Sequence, residues 1–225
     1  MTDDSGYSDI GAYGGEIETP NIDDLAERGL RFQRFYTNAK CSQTRASLLT
    51  GQYPQNVGVG DLARPQDETP FPGYLGFLNR NNNVTIAELL RKAGYRTIMS
   101  GKWHLGGERG VDGQPEIGEN LKWPPARGFE KYFGLLHGAA DYYSPRAPRV
   151  FRLGDAVYEP HPGEEFYATD AITDFAIRFV KVVSLENDAP FFLYVPFTAP
   201  HTPRQAPAEL VEKYIRVYSS DWNVL

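Results

Sequence analysis

The sequence holds a single cysteine, Cys41. That excludes an internal disulfide and any zinc cluster built from cysteine thiolates, and it leaves the redox compartment open, because exported proteins need not carry disulfides. Positive charge is also scarce: 23 Lys and Arg against 29 Asp and Glu give a formal net charge of −6. Nucleic-acid binders present a basic face, so a general polyanion-binding surface is not expected; an anionic substrate would have to be met by a few locally placed cations. No apolar run approaches the roughly 18–20 residues needed to cross a bilayer. Met1-Thr2-Asp3-Asp4 opens without the hydrophobic region of a signal peptide, and the expectation is a soluble chain with no export signal of its own.

What is present suits one sizeable globular domain: 225 residues, 41% hydrophobic and 13% aromatic, enough for a real core. Thr19 to Gly29 reads as a short helix, with Thr19 as cap, Pro20 in the first turn and Gly29 at the end. Phe32, Phe35 and Tyr36 begin an extended apolar stretch. Thr85 and Glu88 form a capping-box pattern, with Ile86, Leu89, Leu90 and Ala93 spaced for one helical face and Gly94 closing the helix. Tyr95 to Ser100 then reads as a strand. A longer helix is expected from Phe166 to about Val183, with Ala171, Ile172, Phe175, Ile177 and Phe179 apolar and a polar turn at Glu186-Asn187-Asp188. Phe191 to Val195 follows as a continuous apolar strand of the kind buried in a parallel sheet.

Helix, turn and buried strand, repeated, imply an α/β domain: a mostly parallel central sheet flanked by helices. Ligands in such sheets bind beyond the carboxyl ends of the strands. Directly after the two strands come Gly101-Lys102-Trp103-His104-Leu105-Gly106 and Ala199-Pro200-His201-Thr202-Pro203, both carrying titratable side chains. Asn56 to Asn83 and Glu108 to Glu165 are rich in Gly, Pro, Arg and aromatics without clear periodicity, and read as long active-site loops.

Cys41-Ser42-Gln43-Thr44-Arg45-Ala46-Ser47-Leu48-Leu49-Thr50-Gly51 suggests a short helix with Cys41 at its N-terminus. Free backbone N–H groups and the helix dipole favour an anion there. A lone cysteine is more often a buried structural thiol, but Arg45 one turn later tips the balance towards an anion site. Asp3-Asp4 offers two adjacent carboxylates; taken alone, such a pair is ordinary solvated surface. Lys102 and His104, two apart in a glycine-flanked turn, can point into one cleft, though a surface lysine is the plain alternative. His201, bracketed by prolines, is equally a held acid-base group or a surface histidine. His137 and His161 have no motif partner and belong to loops that line or flank the cleft. Trp103, Tyr142 and Tyr143 offer substrate walls, although aromatics this frequent usually pack.

The Cys41–Gly51 segment is similar to the signature of the type I sulfatases of the alkaline phosphatase-like superfamily, and Gly101-Lys102-Trp103-His104-Leu105-Gly106 resembles that family's second signature. Asp3-Asp4-Ser5-Gly6-Tyr7-Ser8-Asp9, Thr19-Pro20-Asn21-Ile22-Asp23 and Pro200-His201-Thr202-Pro203 fall in the family's order and approximate spacing. The resemblance spans nearly the whole chain, so residues 1–225 are read as one partial sulfatase catalytic domain.

That resemblance implies a sulfuric ester hydrolase acting on aryl or carbohydrate sulfates. Cys41 would be converted to formylglycine by a formylglycine-generating enzyme; the hydrated aldehyde offers one oxygen to attack sulfur, and a second hydroxyl whose deprotonation later expels sulfate. Arg45 would brace the modified residue. Asp3 and Asp4, with the oxygen made from Cys41, would hold Ca2+ or Mg2+. Lys102 would bind sulfate, His104 would act as base, and His201 would contact the bridging ester oxygen and donate a proton to the leaving alcohol. The usual proline two residues after the cysteine is here Gln43, a departure that bears on conversion. The family's catalytic domain is longer than this chain and normally opens with a strand before the aspartate pair. Further metal ligands and a second sulfate-binding lysine lie well beyond the position of His201. The expectation is a domain shortened at both ends, with part of the metal shell missing, weak metal binding and low turnover. Two rivals stand beside this reading: a phosphomonoester or phosphonate ester hydrolase of the same superfamily, and an inactive module that binds sulfated ligands through Lys102, Arg45 and His201. The family's usual exported life suggests periplasm, lysosome or secretion; the sequence itself names no compartment, specific substrate or oligomeric state.

Overall fold

A computed structural model describes all residues except 64–70, 80, 82, 107–121, 162, 187 and 218–225. Five helices are present among them: α1 (Pro20–Arg28), α2 (Cys41–Thr50), α3 (Ile86–Lys92), α4 (Ala168–Glu186) and α5 (Ala208–Val217). Five strands, β1 (Arg96–Ser100), β2 (Lys131–Leu135), β3 (Phe151–Leu153), β4 (Ala156–Val157) and β5 (Phe191–Tyr194), form one sheet in the order β4-β3-β2-β1-β5. β1 pairs in parallel with both β2 and β5, while β3 and β4 extend the sheet antiparallel from β2. The central three strands are the parallel part expected. The antiparallel hairpin is an addition on one side.

Side chains alternate across this sheet as the pleat requires. Met99, Tyr132 and Tyr194 face a core shared with Ala46 and Leu49 of α2, Ala87 of α3, and Trp103, Trp123 and Phe129. Ile98 and Phe133 face the opposite core, with Phe151 and the α4 residues Ala168, Ile172, Phe179 and Val183. On α4 the buried positions 168, 172, 176, 179 and 183 follow one helical stripe, and Phe175 stacks on Phe133 with ring centroids 3.9 Å apart. Burying the sheet on both faces removes apolar surface worth about 25 cal/mol per Å2 from water. No helix among the described residues is long and apolar enough to cross a membrane.

Several local readings need correction. The stretch from Glu108 to Glu165 is not irregular throughout: β2, β3 and β4 lie within it, although residues 107–121 fall outside the described set. No strand forms at Phe32, Phe35 and Tyr36, which stand exposed. Ile177 is exposed on α4, its place on the stripe taken by Ala176. The inward face of α3 is Ala87 with Leu90, whereas Ile86, Leu89 and Ala93 face outward. The cause is the capping region. Thr85 accepts from Glu88 N and donates to the Arg127 carbonyl. The Gly128 backbone then lies so close that a Cβ there would meet Glu88 N at 2.4 Å, a contact that demands small residues at the junction. β5 is only partly buried because β1 is its sole partner strand among the described residues.

Candidate active site

Three chain segments leave the carboxyl ends of β5, β1 and β2 side by side, and backbone hydrogen bonds lock them together. Lys102 N donates to Pro196 O at 2.7 Å, Trp103 N to Leu135 O at 2.8 Å and His104 N to Leu136 O at 3.0 Å. The approach is close enough to require glycine at two points. A Cβ on Gly101 (φ 137°) would fall 2.0 Å from Pro196 O, and one on Gly134 (φ 154°) would fall 1.8 Å from Gly101 O. The N-terminal residues add a fourth segment, running parallel to the chain that continues β5. The Met1 amino group donates to Val195 O, Phe197 N to Met1 O, and Asp3 N to Ala199 O, all at 2.9–3.0 Å. Asp3 and Lys102, 99 residues apart in sequence, are thereby delivered to one place.

There they meet Arg45, one turn into α2. Asp3, Lys102 and Arg45 are all buried. The Lys102 ammonium donates to Asp3 Oδ2, Arg45 Nη2 lies 3.2 Å from Asp3 Oδ1, and Arg45 Nη1 donates to the Lys102 carbonyl at 2.7 Å. One carboxylate between two cations leaves a net positive charge out of reach of water. Burial pushes the Lys102 ammonium below the ordinary lysine range and Arg45 pushes further, while the Asp3 carboxylate and Cys41 push it back.

Cys41 is the first residue of α2 and half-buried. It forms the divide between two clefts. One, of about 740 Å3, is lined by Asp3, Asp4 and Ala39; the other, of about 860 Å3, by His104, His137, Gly138 and His201. His104 is buried, and burial together with Lys102, Arg45, His201 and His137 depresses its pKa to about 2. It is a neutral imidazole that an oxyanion seated nearby would make more basic. His201 Nδ1 lies 2.6 Å from the Thr202 carbonyl. A carbonyl only accepts, so the Nδ1 proton points there and Nε2 turns to the site, 3.6 Å from Asp4 Oδ2. The non-glycine residues with positive φ among those described are Asp4 (62°), Ala39 (55°) and His104 (54°). All three line these two clefts, and such backbone strain concentrates at functional sites.

The structure thus brings together Asp3, Asp4, Cys41, Arg45, Lys102, His104 and His201. The other flagged residues divide. His137 lines the same cleft, whereas His161 lines a separate groove beside α4. Trp103 and Tyr142 are buried in packing rather than forming walls, and Tyr143 stacks on Tyr167. Tyr142 has a further part in the geometry: its hydroxyl bonds to the carbonyls of both Thr198 and His201 at 2.8 Å, tying the His201 loop to the segment after β2. Gly138 lies under the His104 ring, where a Cβ would come within 2.7 Å. Nothing local in the sequence marks Gly138 or the tie that Tyr142 makes, because both act across the gap between distant segments.

The donor set can be weighed against a divalent cation. Asp3 and Asp4 are hard oxygen donors beside Cys41, which fits Ca2+ or Mg2+ in kind; but both Asp3 oxygens already face the Lys102 and Arg45 cations, and two carboxylates fall short of the roughly 6–8 oxygens calcium takes. Among the described residues no group of three or more His, Cys, Asp or Glu side chains converges as a metal site.

A parallel sheet whose carboxyl edge gathers buried cations, carboxylates and a residue at a helix N-terminus defines a class of α/β domains suited to a tetrahedral oxyanion. The family model for sulfatases matches residues 1–224, and the chain belongs to that family, within the alkaline phosphatase-like superfamily. It is 36% identical over 241 aligned residues to an uncharacterised sulfatase of Schizosaccharomyces pombe, covering 100% of this chain and 41% of the relative. It is 32% identical to the arylsulfatase of Klebsiella aerogenes, covering 99% and 46%. Among solved structures, Ps i-CgsB in complex with a neocarrahexaose superposes with a TM-score of 0.79 at 28% identity, over 98% of this chain and 48% of that one. A protein in complex with its substrate D-glucosamine-2-N,6-O-disulfate superposes with a TM-score of 0.63 at 33% identity, over 90% and 34%. The chain spans less than half the length of each of these four.

Proposed function

We propose that this chain carries the nucleophile-bearing part of a sulfate ester hydrolase acting on sulfated carbohydrates or aryl sulfates. The observation that carries this reading is that Cys41 stands between a cleft lined by His104 and His201 and one lined by Asp3 and Asp4, with the buried cations Lys102 and Arg45 paired to Asp3. The neighbours crystallised with a neocarrahexaose and with a glucosamine disulfate favour a carbohydrate ester.

Formylglycine made from Cys41 by a formylglycine-generating enzyme would supply the nucleophilic oxygen, and Ca2+ or Mg2+ on Asp3 and Asp4 would supply further positive charge at it. The remaining work falls to side chains of the chain itself. Lys102 and Arg45, shielded from water, hold positive charge where the sulfate oxygens gather charge in the transition state. Asp3 holds both cations in place. His201, in the imidazolium form with Nε2–H turned to the site and Nδ1–H on the Thr202 carbonyl, would donate the proton that the leaving oxygen needs, and His104 would accept the proton released when sulfate departs. Gln43 is buried and hydrogen-bonded to the Gly60 carbonyl at 3.5 Å, so the position usually held by proline is packed into the fold.

Rates measured side by side on the sulfate and phosphate esters of one phenol test the reading. Preference for the sulfate is expected; a faster phosphate ester would reassign the chain to a phosphomonoester hydrolase.

A further inference from the structure

The 860 Å3 cleft continues past the histidines to a rim formed by the segment after β2, where Arg146 and Arg149 line it. Arg149 N donates to Arg146 O at 2.8 Å, a turn that keeps the two cleft-lining arginines close together. Both are exposed, and neither forms an ion pair among the described residues. The acid lining the cleft among the described residues is Asp141. Its carboxylate is already engaged by Gln205 Nε2 at 2.8 Å and by the backbone N–H groups of Tyr143 and Ser144 at 2.9 and 2.7 Å. Those bonds, Gln205 first, hold its pKa below the usual carboxylate range, and the charge of Arg146 adds a smaller pull in the same direction. The same cleft is also lined by the small and apolar residues Leu62, Ala63, Ala139 and Ala140. In a chain of net charge −6, two exposed arginines lining one cleft are available to an anion from outside.

We propose that Arg146 and Arg149 form a subsite for a second oxyanion on the substrate, so that the chain selects a saccharide bearing a sulfate or carboxylate in addition to the ester at Cys41. This rests on the reading of the Cys41 site as one for sulfate esters. The guanidinium fork matches a planar face of either oxyanion with two parallel N–H donors. The apolar residues of the cleft cover the sugar ring. A neutral substrate would leave both arginines as they are; a doubly anionic one gains from them without any change at Cys41.

Calorimetric titration of the chain with a disulfated hexosamine, a sulfated uronate and the monosulfated hexosamine tests this. Each is run against wild type, R146A/R149A and R146K/R149K, with circular dichroism as the check on folding. Wild type should bind at least one doubly anionic ligand about tenfold or more tighter than the monosulfated one, the worth of one charge-assisted bidentate contact. That ratio should collapse towards one in the alanine pair, be intermediate in the lysine pair, and shrink with added salt because the rim is solvent-screened. The two doubly anionic ligands distinguish sulfate from carboxylate as the second group. Equal affinity for all three ligands in wild type, or a ratio unchanged in R146A/R149A, overturns the subsite. The hydrolase reading fails separately: a ratio that behaves as stated, with no turnover of any sulfate ester by protein whose Cys41 has been converted, leaves the subsite standing and removes the enzyme.

Discussion

Asp3→Asn is the sharpest perturbation of the site's electrostatics. Asp3 is 3% exposed, and the Lys102 and Arg45 side chains that flank it are 0% exposed. The amide keeps the shape but removes the charge, leaving two buried cations side by side without a counter-charge. Breaking a buried pair in this way costs about 3–5 kcal/mol, a large share of the roughly 5–15 kcal/mol that holds a domain together. For a domain of this size that corresponds to a fall in Tm of about 6–20 °C. Lys102→Met should cost much less, because Asp3 and Arg45 then remain as a one-to-one pair. The pH dependence carries a sign. The Lys102 pKa is already lowered in the folded state by burial and Arg45, and Asp3 is among the groups that hold it up. Without Asp3 it falls further, so below the ordinary lysine value the unfolded chain binds the proton that the folded chain sheds. Stability of the variant therefore rises with pH, and its deficit against wild type narrows from pH 7 towards pH 10. Thermal unfolding followed by circular dichroism, with chelator present in every sample, reads all of this. A Tm for Asp3→Asn within about 2 °C of wild type, or a larger loss in Lys102→Met, would refute the charge arrangement.

Three further outcomes follow from the same geometry. His104, with a folded pKa of about 2, stays neutral when folded but takes a proton when unfolded below about pH 6.5, so wild-type stability should fall with acid at up to about 1.4 kcal/mol per pH unit between those values. His104→Gln should flatten the slope by one proton in denaturant titrations at pH 4, 5 and 6, and an unchanged slope would contradict the depressed imidazole. Tyr142→Phe removes the hydroxyl shared by the Thr198 and His201 carbonyls. It should cost about 0.5–1.5 kcal/mol and lower kcat on an aryl sulfate with little change in KM. Gly138→Ala places a methyl against the His104 ring; turnover should drop by about a hundredfold while Tm moves little, and full activity would mean that the ring position is unimportant.

Much of the scaffold is legible in the sequence where a local signal is strong. The capping box at Thr85 and Glu88, the proline that opens α1, Gly51 after α2 and the apolar run of β5 each announce their element. β2 is hidden by its own function: Gly134, which reads as a breaker, is the point where the strand's backbone crosses Gly101. The β3-β4 hairpin turns on Gly154-Asp155, a two-residue signal obscured by the proline- and arginine-rich residues around it. Helix α3 shows the limit of periodicity, since Ile86 and Leu89 satisfy one face while contact with Gly128 selects the other. At the site, the chemistry-bearing residues are legible as types in motifs. The Asp3–Lys102–Arg45 arrangement, the Tyr142 tie and the placing of Arg146 and Arg149 are products of segments meeting in space, for which a linear reading has no signal; His137, expected in a loop by the cleft, does line it.

The central claim is that chemistry starts at Cys41, and one measurement addresses it directly. Protein is made with graded amounts of formylglycine-generating enzyme, the converted fraction of the Cys41 peptide is quantified by mass spectrometry, and hydrolysis of an aryl sulfate is followed on the same samples. Turnover should rise in proportion to the converted fraction and vanish in Cys41→Ala. Turnover that is independent of conversion, or that survives in Cys41→Ala, would contradict the account.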